Sequence, residues 1–347
     1  MNDARSGQHL ARAWVLAEQG RDRTNPNPFV GCVLERDGKV VGEGWTQPAG
    51  GDHAEIVALK QAGADAAGAT AWVTLEPCNH VGRTGPCVVA LRDAGIARVV
   101  IAMEDPSEHA GGGAAWLADH GVAVERWAWQ PWMRRQNEVF VTNVERRRPW
   151  VTLKLAATRD GRLHSDVRWI TGPVARAEVH RLRARADAVL VGSGTVLADD
   201  PRLDVRHAPV LRGQPRPVVV DRRGRVPPDA HVVRPGLLVV TSDDADPDWV
   251  AELRERGATV VPSGDGPSRW MPALGDHGVW SVLAEPGPTL AASLCMAGLV
   301  DEVVLHQAGG HGRGALPPPL AGHRWRHVRT RPLGEDVEIV LRPGSTS

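Results

Sequence analysis

The chain has 347 residues, enough for two domains at roughly 150 residues each, and each could bury its own core. Lysine plus arginine and aspartate plus glutamate number 41 each, so no net field steers it toward nucleic acid or an anionic membrane. It shows no early apolar h-region and no run of ~18 apolar residues, so the expectation is a cytoplasmic protein without a signal peptide or membrane span.

In chain order, residues 8–19 carry apolar positions at helical spacing (Leu10, Ala13, Trp14, Ala17), and Gly20 is the stop. In Asn25-Pro26-Asn27-Pro28 the flanking prolines predict an extended Asn27 whose amide can face a pocket. Strands over 30–35 and 39–45 join through Asp37-Gly38, a hairpin signal. A helix over 53–60 follows, with Asp52 as the expected cap and Gly63 as the stop. A strand over 71–75 delivers Glu76-Pro77-Cys78, and Pro86 and Gly95 bracket a helix opening at Cys87. Strand 97–103, a helix near 114–119 and strand 122–126 complete an α/β unit. Residues 128–148 look like a connection, and Arg146-Arg147-Arg148 reads as a solvated face.

His53, Cys78 and Cys87 offer one imidazole and two thiolates. That set suits a four-coordinate zinc with one position left open for water. Glu55 is not needed as a ligand and is free to move protons. H-x-E followed by P-C-x-x-C is a deaminase signature on other substrates. Here eight residues, Asn79 to Pro86, separate the cysteines, and they hold a polar, glycine-bearing loop. A structural zinc knuckle is the competing reading, but it normally has four protein ligands and a tight cysteine pair. The remaining cysteines, Cys32 on a strand and Cys295 in a helix, read as buried small hydrophobes rather than a disulfide.

From Pro149 the pattern restarts. Strands are expected at 150–156, 187–191, 217–221, 237–241, 258–261, 279–284 and 302–306, with helices at 173–185, 247–256 and 288–297. The alternation again means an α/β domain. The loop from Gly192 to Pro201, and Glu285-Pro286-Gly287-Pro288-Thr289 before a helix, could cradle phosphates, although neither matches G-x-G-x-x-G or a P-loop. The last residues, 343–347, are expected to fray.

Asn25-Pro26-Asn27-Pro28, His53-Ala54-Glu55, Thr74 to Cys87, Trp169-Ile170-Thr171 and Gly192 to Pro201 together resemble one family, over about residues 8 to 305. It is the bifunctional riboflavin-biosynthesis enzyme: a diaminohydroxyphosphoribosylaminopyrimidine deaminase fused to a 5-amino-6-(5-phosphoribosylamino)uracil reductase. The resemblance implies an α/β chain with a cytidine-deaminase-like three-layer domain over 1–147. A dihydrofolate-reductase-like domain would follow over 148–347. It implies zinc, NADPH, a pyrimidine nucleotide substrate and a homo-oligomer. By the same resemblance His53, Cys78 and Cys87 bind zinc, Glu55 is catalytic, and Asn27, His80, Arg83 and Asp105 hold the deaminase substrate. Lys154, Arg183, Leu203, Arg206 and Glu285 match reductase substrate positions. Ala156, Trp169, Thr195, Asp199 and the loop from Gly287 match NADPH positions.

The chain departs from the family pattern at several places. The segment from Gly161 to Trp169 is short, Val167 stands where a substrate-binding serine is placed, and Pro286 replaces a small residue. Residues 306–312 lack the expected Ala-Pro and Leu-Gly pairs, and Ser107 replaces an asparagine. These differences raise an alternative, a C-terminal half that no longer catalyses and serves binding or oligomerisation. A polynucleotide deaminase is a second rival, and the balanced charge argues against it.

Overall fold

The computed structural model describes residues 4–80, 85–108, 110–127, 131–164, 169–309 and 314–344. The chain forms two compact units, Met1–Arg146 and Arg147–Ser347. Among the described residues no helix is long and apolar enough to cross a membrane.

The first unit runs α1 (Ala4–Ala17), β1 (Gly31–Arg36), β2 (Lys39–Trp45), α2 (Ala54–Ala62), β3 (Thr70–Val73), α3 (Cys87–Asp93), β4 (Arg98–Ile101), α4 (Gly113–Asp119), β5 (Ala123–Arg126), α5 (Pro131–Gln136) and α6 (Glu138–Arg146). Its sheet has the order β2-β1-β3-β4-β5, with β1 antiparallel to both neighbours and the rest parallel. Asp37 and Gly38 both take positive φ, 53° and 80°, as the tight hairpin between β1 and β2 requires. Gly44 lets α2 lie close on β2: a Cβ there would sit 2.1 Å from the Ala54 carbonyl oxygen. The core gathers Leu34, Trp72, Val73, Leu91, Val100, Ile101 and Leu117 between the sheet and its helices.

Three expectations for this unit need correction. Asp52 does not cap α2; its carboxylate takes Lys60, and His53 itself is the cap residue, with no side-chain cap bond. Asn27 is not extended: its N–H closes a turn on the Thr24 carbonyl at 2.9 Å, and Thr24 Oγ1 bonds the Asn27 carbonyl. The presumed connection over 128–148 holds two helices, α5 and α6, and Val141 of α6 is buried. Its arginine-rich composition hid a narrow apolar face.

The second unit begins with β6 (Trp150–Ala157), α7 (Pro173–Arg185), β7 (Ala188–Gly192), α8 (Ser193–Asp199), β8 (Arg216–Val220), β9 (Leu238–Thr241), α9 (Pro247–Glu255) and β10 (Thr259–Pro262). It continues with α10 (Pro267–Asp276), β11 (Ser281–Ala284), α11 (Pro288–Met296), β12 (Glu302–Gln307), β13 (Trp325–Leu333) and β14 (Asp336–Pro343). The nine-stranded sheet has the order β10-β9-β8-β7-β11-β6-β12-β14-β13. Strands β10 through β12 are parallel, and β14 and β13 close it antiparallel. Their buried Val, Leu and Ala runs are what a sheet covered on both faces demands.

Arg148 corrects the reading of the arginine run as a solvated face. It is 7% exposed and donates to both oxygens of buried Asp301, at 2.6 and 2.8 Å, which anchors the start of β6. Part of the Gly192–Pro201 loop is the helix α8, and α10 was not expected because Pro272 lies inside it. Strands β13 and β14 were also missed. β13 is the sheet edge and carries Arg326, Arg329 and Arg331 instead of an apolar alternation.

Candidate active sites

In the first unit the metal-binding set is built by four elements. The N–H of Gly31 donates to Thr74 Oγ1, and the N–H of Thr74 to the Gly31 carbonyl, both at 3.1 Å, which ties the end of β3 to β1. Glu76 is 7% exposed, and each of its oxygens accepts one backbone N–H, from Asp105 at 3.1 Å and Ala114 at 2.8 Å. Gly113 fits against Pro77 where a Cβ would lie 1.9 Å from the proline carbonyl oxygen. Cys78 is thereby held between β3, the loop after β4 and the start of α4. Cys87 opens α3, and His53 precedes α2.

His53 Nδ1 lies 3.5 Å from Cys78 Sγ and 3.3 Å from Cys87 Sγ, and the three ligand atoms all lie within 4.8 Å of one another. Tetrahedral zinc with bonds of about 2.3 Å to sulfur and 2.0–2.1 Å to nitrogen requires N···S separations of roughly 3.5 Å. The residues therefore fit zinc. The Cys78 thiol is pulled down by its hydrogen bond with Cys87 and by His53, and the His53 imidazole is pushed up by Cys78. Glu55, in the first turn of α2 and 3% exposed, is pushed up to about 7 by burial and by the Cys78 charge, against His53. Such a carboxyl can hold or release a proton near neutrality.

Asp105 lies within electrostatic reach of Glu76, Cys78 and His80; burial pushes it up to about 6 against the bond it accepts from the Ser107 N–H. His80 is exposed. Arg83 lies outside the described residues, as does Val167 in the second unit. In the sequence Glu76 stands out only as part of the Thr74–Cys78 motif. The signal for its role is an acidic side chain at the end of a buried strand.

In the second unit Lys154, midway along β6, comes together with Glu285, just past the carboxyl end of β11, and Arg183, in the last turn of α7. Arg183 donates Nε to one Glu285 oxygen at 2.7 Å and a terminal nitrogen to the other at 2.9 Å, and also reaches the Asp204 carbonyl. Burial would raise Glu285, yet Arg183, with Lys154 beside it, holds it below the usual carboxylate range. Burial lowers Lys154, and Glu285 opposes that. The Arg206 N–H donates to His180 Nδ1 at 3.3 Å, so Arg206 borders the same group, and His180 is an addition the sequence reading lacked. Leu203 has φ 54° and a side chain 2% exposed in the core, so only its backbone can face a ligand.

Thr195, Asp199 and Gly287 line a cleft of about 760 Å³ over the ends of β7, β8 and β11. Ala156 and Trp169 are not among its walls; Trp169 is 55% exposed under the Arg176 guanidinium. The turns at Gly192 and Gly287 among its walls expose backbone of the kind that binds phosphates at the strand ends of α/β sheets. Its remaining walls include Arg222, Arg223 and Trp270, none of which the sequence reading named.

Two family models match the chain. Residues 5–103 match the cytidine and deoxycytidylate deaminase zinc-binding region, and residues 149–339 match the RibD C-terminal domain. Fold and site thus define a zinc-dependent deaminase of the cytidine deaminase class, joined to a reductase domain. The riboflavin biosynthesis protein RibD of Escherichia coli K12 is 41% identical over 96% of this chain and 98% of its own. An Acinetobacter baumannii RibD structure superposes with a TM-score of 0.86 at 34% identity, covering 98% of this chain and 99% of that one. A Thermotoga maritima diaminohydroxyphosphoribosylaminopyrimidine deaminase/5-amino-6-(5-phosphoribosylamino)uracil reductase superposes at 0.81 and 31% identity, with 98% and 99% covered. The chain belongs to the RibD family of bifunctional riboflavin biosynthesis proteins.

Proposed function

We propose that residues 1–147 deaminate 2,5-diamino-6-(5-phosphoribosylamino)pyrimidin-4(3H)-one and that residues 148–347 then reduce the ribosyl group to ribityl phosphate. The observation that carries the first step is a three-ligand metal set with a buried, non-ligating carboxyl, Glu55, two residues from His53. His53, Cys78 and Cys87 would hold a zinc ion, which would supply the Lewis acidity that readies a water for attack. Glu55 takes the proton of that water as oxygen bonds to the ring carbon, and returns it to the amine that departs as ammonia. Asp105, His80 and Asn27 orient the pyrimidine, and Arg83 takes the phosphate with a forked donor.

In the second unit a bound NADPH would supply the hydride. Lys154, Arg183, Arg206, Glu285 and the Leu203 backbone hold the opened sugar phosphate, while Ala156, Trp169, Thr195, Asp199 and Gly287 hold the cofactor. Orientation is the main contribution of these side chains. The paired Arg183 and Glu285 and the adjoining cleft favour a working reductase over a domain kept for binding alone. We place the enzyme in the cytoplasm as a homo-oligomer.

Incubating the protein with the diaminopyrimidine nucleotide, with and without NADPH, and weighing the products by mass spectrometry tests both steps. The deaminated ribosyl compound is expected without NADPH and the ribityl compound with it. No product in either case refutes the proposal, and the ribosyl compound alone in both restricts it to the first unit.

A further inference from the structure

Gln136 and Asn137 stand where α5 passes into α6, and they are only 4% and 3% exposed. Buried amides need hydrogen-bond partners, and the partners of these two converge on one residue. Asn137 Oδ1 accepts the Phe29 N–H at 3.0 Å, and Asn137 Nδ2 donates to the Phe29 carbonyl at 3.1 Å. Gln136 Nε2 donates to the Trp14 carbonyl and to Glu18 Oε1, both at 2.9 Å. Glu18 in turn accepts two bonds from Arg21, at 2.6 and 2.8 Å, and the Arg21 guanidinium lies over the Phe29 ring, 4.8 Å from its centre. Phe29 is thus gripped at its backbone by Asn137 and at its ring, through Glu18 and Arg21, by Gln136.

Only Pro28 separates Phe29 from Asn27, and its ring fixes φ, so a displacement of Phe29 passes to Asn27 with little slack. The turn before it is closed by the Asn27 N–H on the Thr24 carbonyl and by Thr24 Oγ1 on the Asn27 carbonyl, both at 2.9 Å. After Phe29, the Val30 N–H donates to Thr46 Oγ1 at 3.0 Å, and Gly31 begins β1. Strand β1 runs antiparallel to β3, so this loop stands beside the end of β3 from which the chain continues to Cys78. The Asn27 side chain is half-buried and makes no hydrogen bond among the described residues. Its backbone is fixed while its amide is left for a ligand.

We infer that Asn137 is a positioning residue of the deaminase: by holding Phe29 it sets where the Asn27 amide meets the pyrimidine, and Gln136 supports it through the Phe29 ring. The inference rests on the reading of Asn27 as a substrate residue and deepens it. A clamp that served stability alone would weaken the fold when cut, and the effect of cutting it on substrate would not depend on Asn27.

Steady-state deamination by the full zinc-loaded chain tests this in a double-mutant cycle of Asn137→Ala with Asn27→Ala. Asn137→Ala is expected to keep one zinc per chain and to raise KM for the diaminopyrimidine nucleotide about 10-fold, within what two neutral hydrogen bonds can hold. Its kcat should change less than about threefold, the mark of lost uniform binding. The double variant should be no worse than Asn27→Ala, because nothing is then left to position. Gln136→Ala, which leaves both Asn137 bonds in place, should raise KM less and show the same dependence on Asn27. Additive losses, or an unchanged KM in Asn137→Ala, would overturn the assignment and leave a clamp that only stabilises. If Asn137→Ala loses its zinc or does not fold, the cycle of Gln136→Ala with Asn27→Ala decides by the same two results. An Asn27→Ala protein that deaminates like wild type would overturn the substrate reading of Asn27 beneath it.

Discussion

Glu285→Gln tests how the reductase half is divided between sugar and cofactor. In the native pair, Glu285 accepts two bonds from Arg183, at 2.7 and 2.9 Å, and both side chains are 15% exposed or less. Glutamine keeps one acceptor oxygen but removes the charge, so Arg183 and Lys154 lose their shared counter-ion. Breaking a buried pair by removing one partner costs ~3–5 kcal/mol, and the retained acceptor reduces that to about 2–3 kcal/mol. If the energy is lost on the sugar side, kcat/KM for the deaminated intermediate falls roughly 30- to 150-fold. Glu285 is not a wall of the cleft, so NADPH affinity should not change. The variant should also lose activity at lower alkaline pH. Burial already lowers Lys154 and Glu285 opposes that, so removing Glu285 lowers Lys154 further. Steady-state NADPH oxidation across pH, beside an NADPH titration, measures all three effects. Parallel losses in cofactor affinity and kcat/KM, or wild-type behaviour, would refute the division.

Glu55→Gln should fold, retain one zinc per chain and release ammonia about 10²- to 10⁴-fold more slowly, the usual worth of a positioned proton carrier. Cys87→Ser should lose zinc along with activity, measured by metal analysis; full zinc occupancy would remove Cys87 from the ligand set. Arg148→Ala leaves Asp301 buried without its partner, so urea denaturation should show a loss of ~3–5 kcal/mol in the second unit. For Glu338, burial opposes the charge, but His306 at 3.5 Å and the guanidiniums of Arg331 and Arg329 hold it well below the usual range. A depressed folded-state value gives stability that is present above an unfolded value of about 4.3 and is lost as pH falls below it. The urea midpoint of wild type should therefore exceed that of Glu338→Gln near neutrality and converge on it in acid.

The metal site was legible in the sequence because its chemistry is local. His53, Glu55, Cys78 and Cys87 sit at strand and helix ends that Gly63, Pro86 and Gly95 mark, and only so many arrangements can join such ends. Buried parallel strands such as β7 and β11 were legible for the same reason, as apolar runs between turn residues. The cofactor end was not. Arg222 and Arg223 become walls of the cleft only when β8 lies beside β7, a pairing between segments that no local pattern specifies. Arg148 is another case: a charge run looks solvated until Asp301, far along the chain, is placed against it. Strand β13 escaped because an edge defended by arginines carries no alternating apolar face, whereas β14 beside it is an interior strand whose buried Val337, Ile339, Val340 and Leu341 are interrupted by Glu338.

Of the two proposed activities, deamination by zinc at His53, Cys78 and Cys87 is the one the geometry supports best. The direct measurement is ammonia release from the diaminopyrimidine nucleotide by protein stripped of metal with a chelator and then titrated with zinc. Activity should be absent in the stripped protein and rise linearly to a plateau at one zinc per chain. Full activity without metal, or a plateau reached with no zinc bound to these three residues, would contradict it.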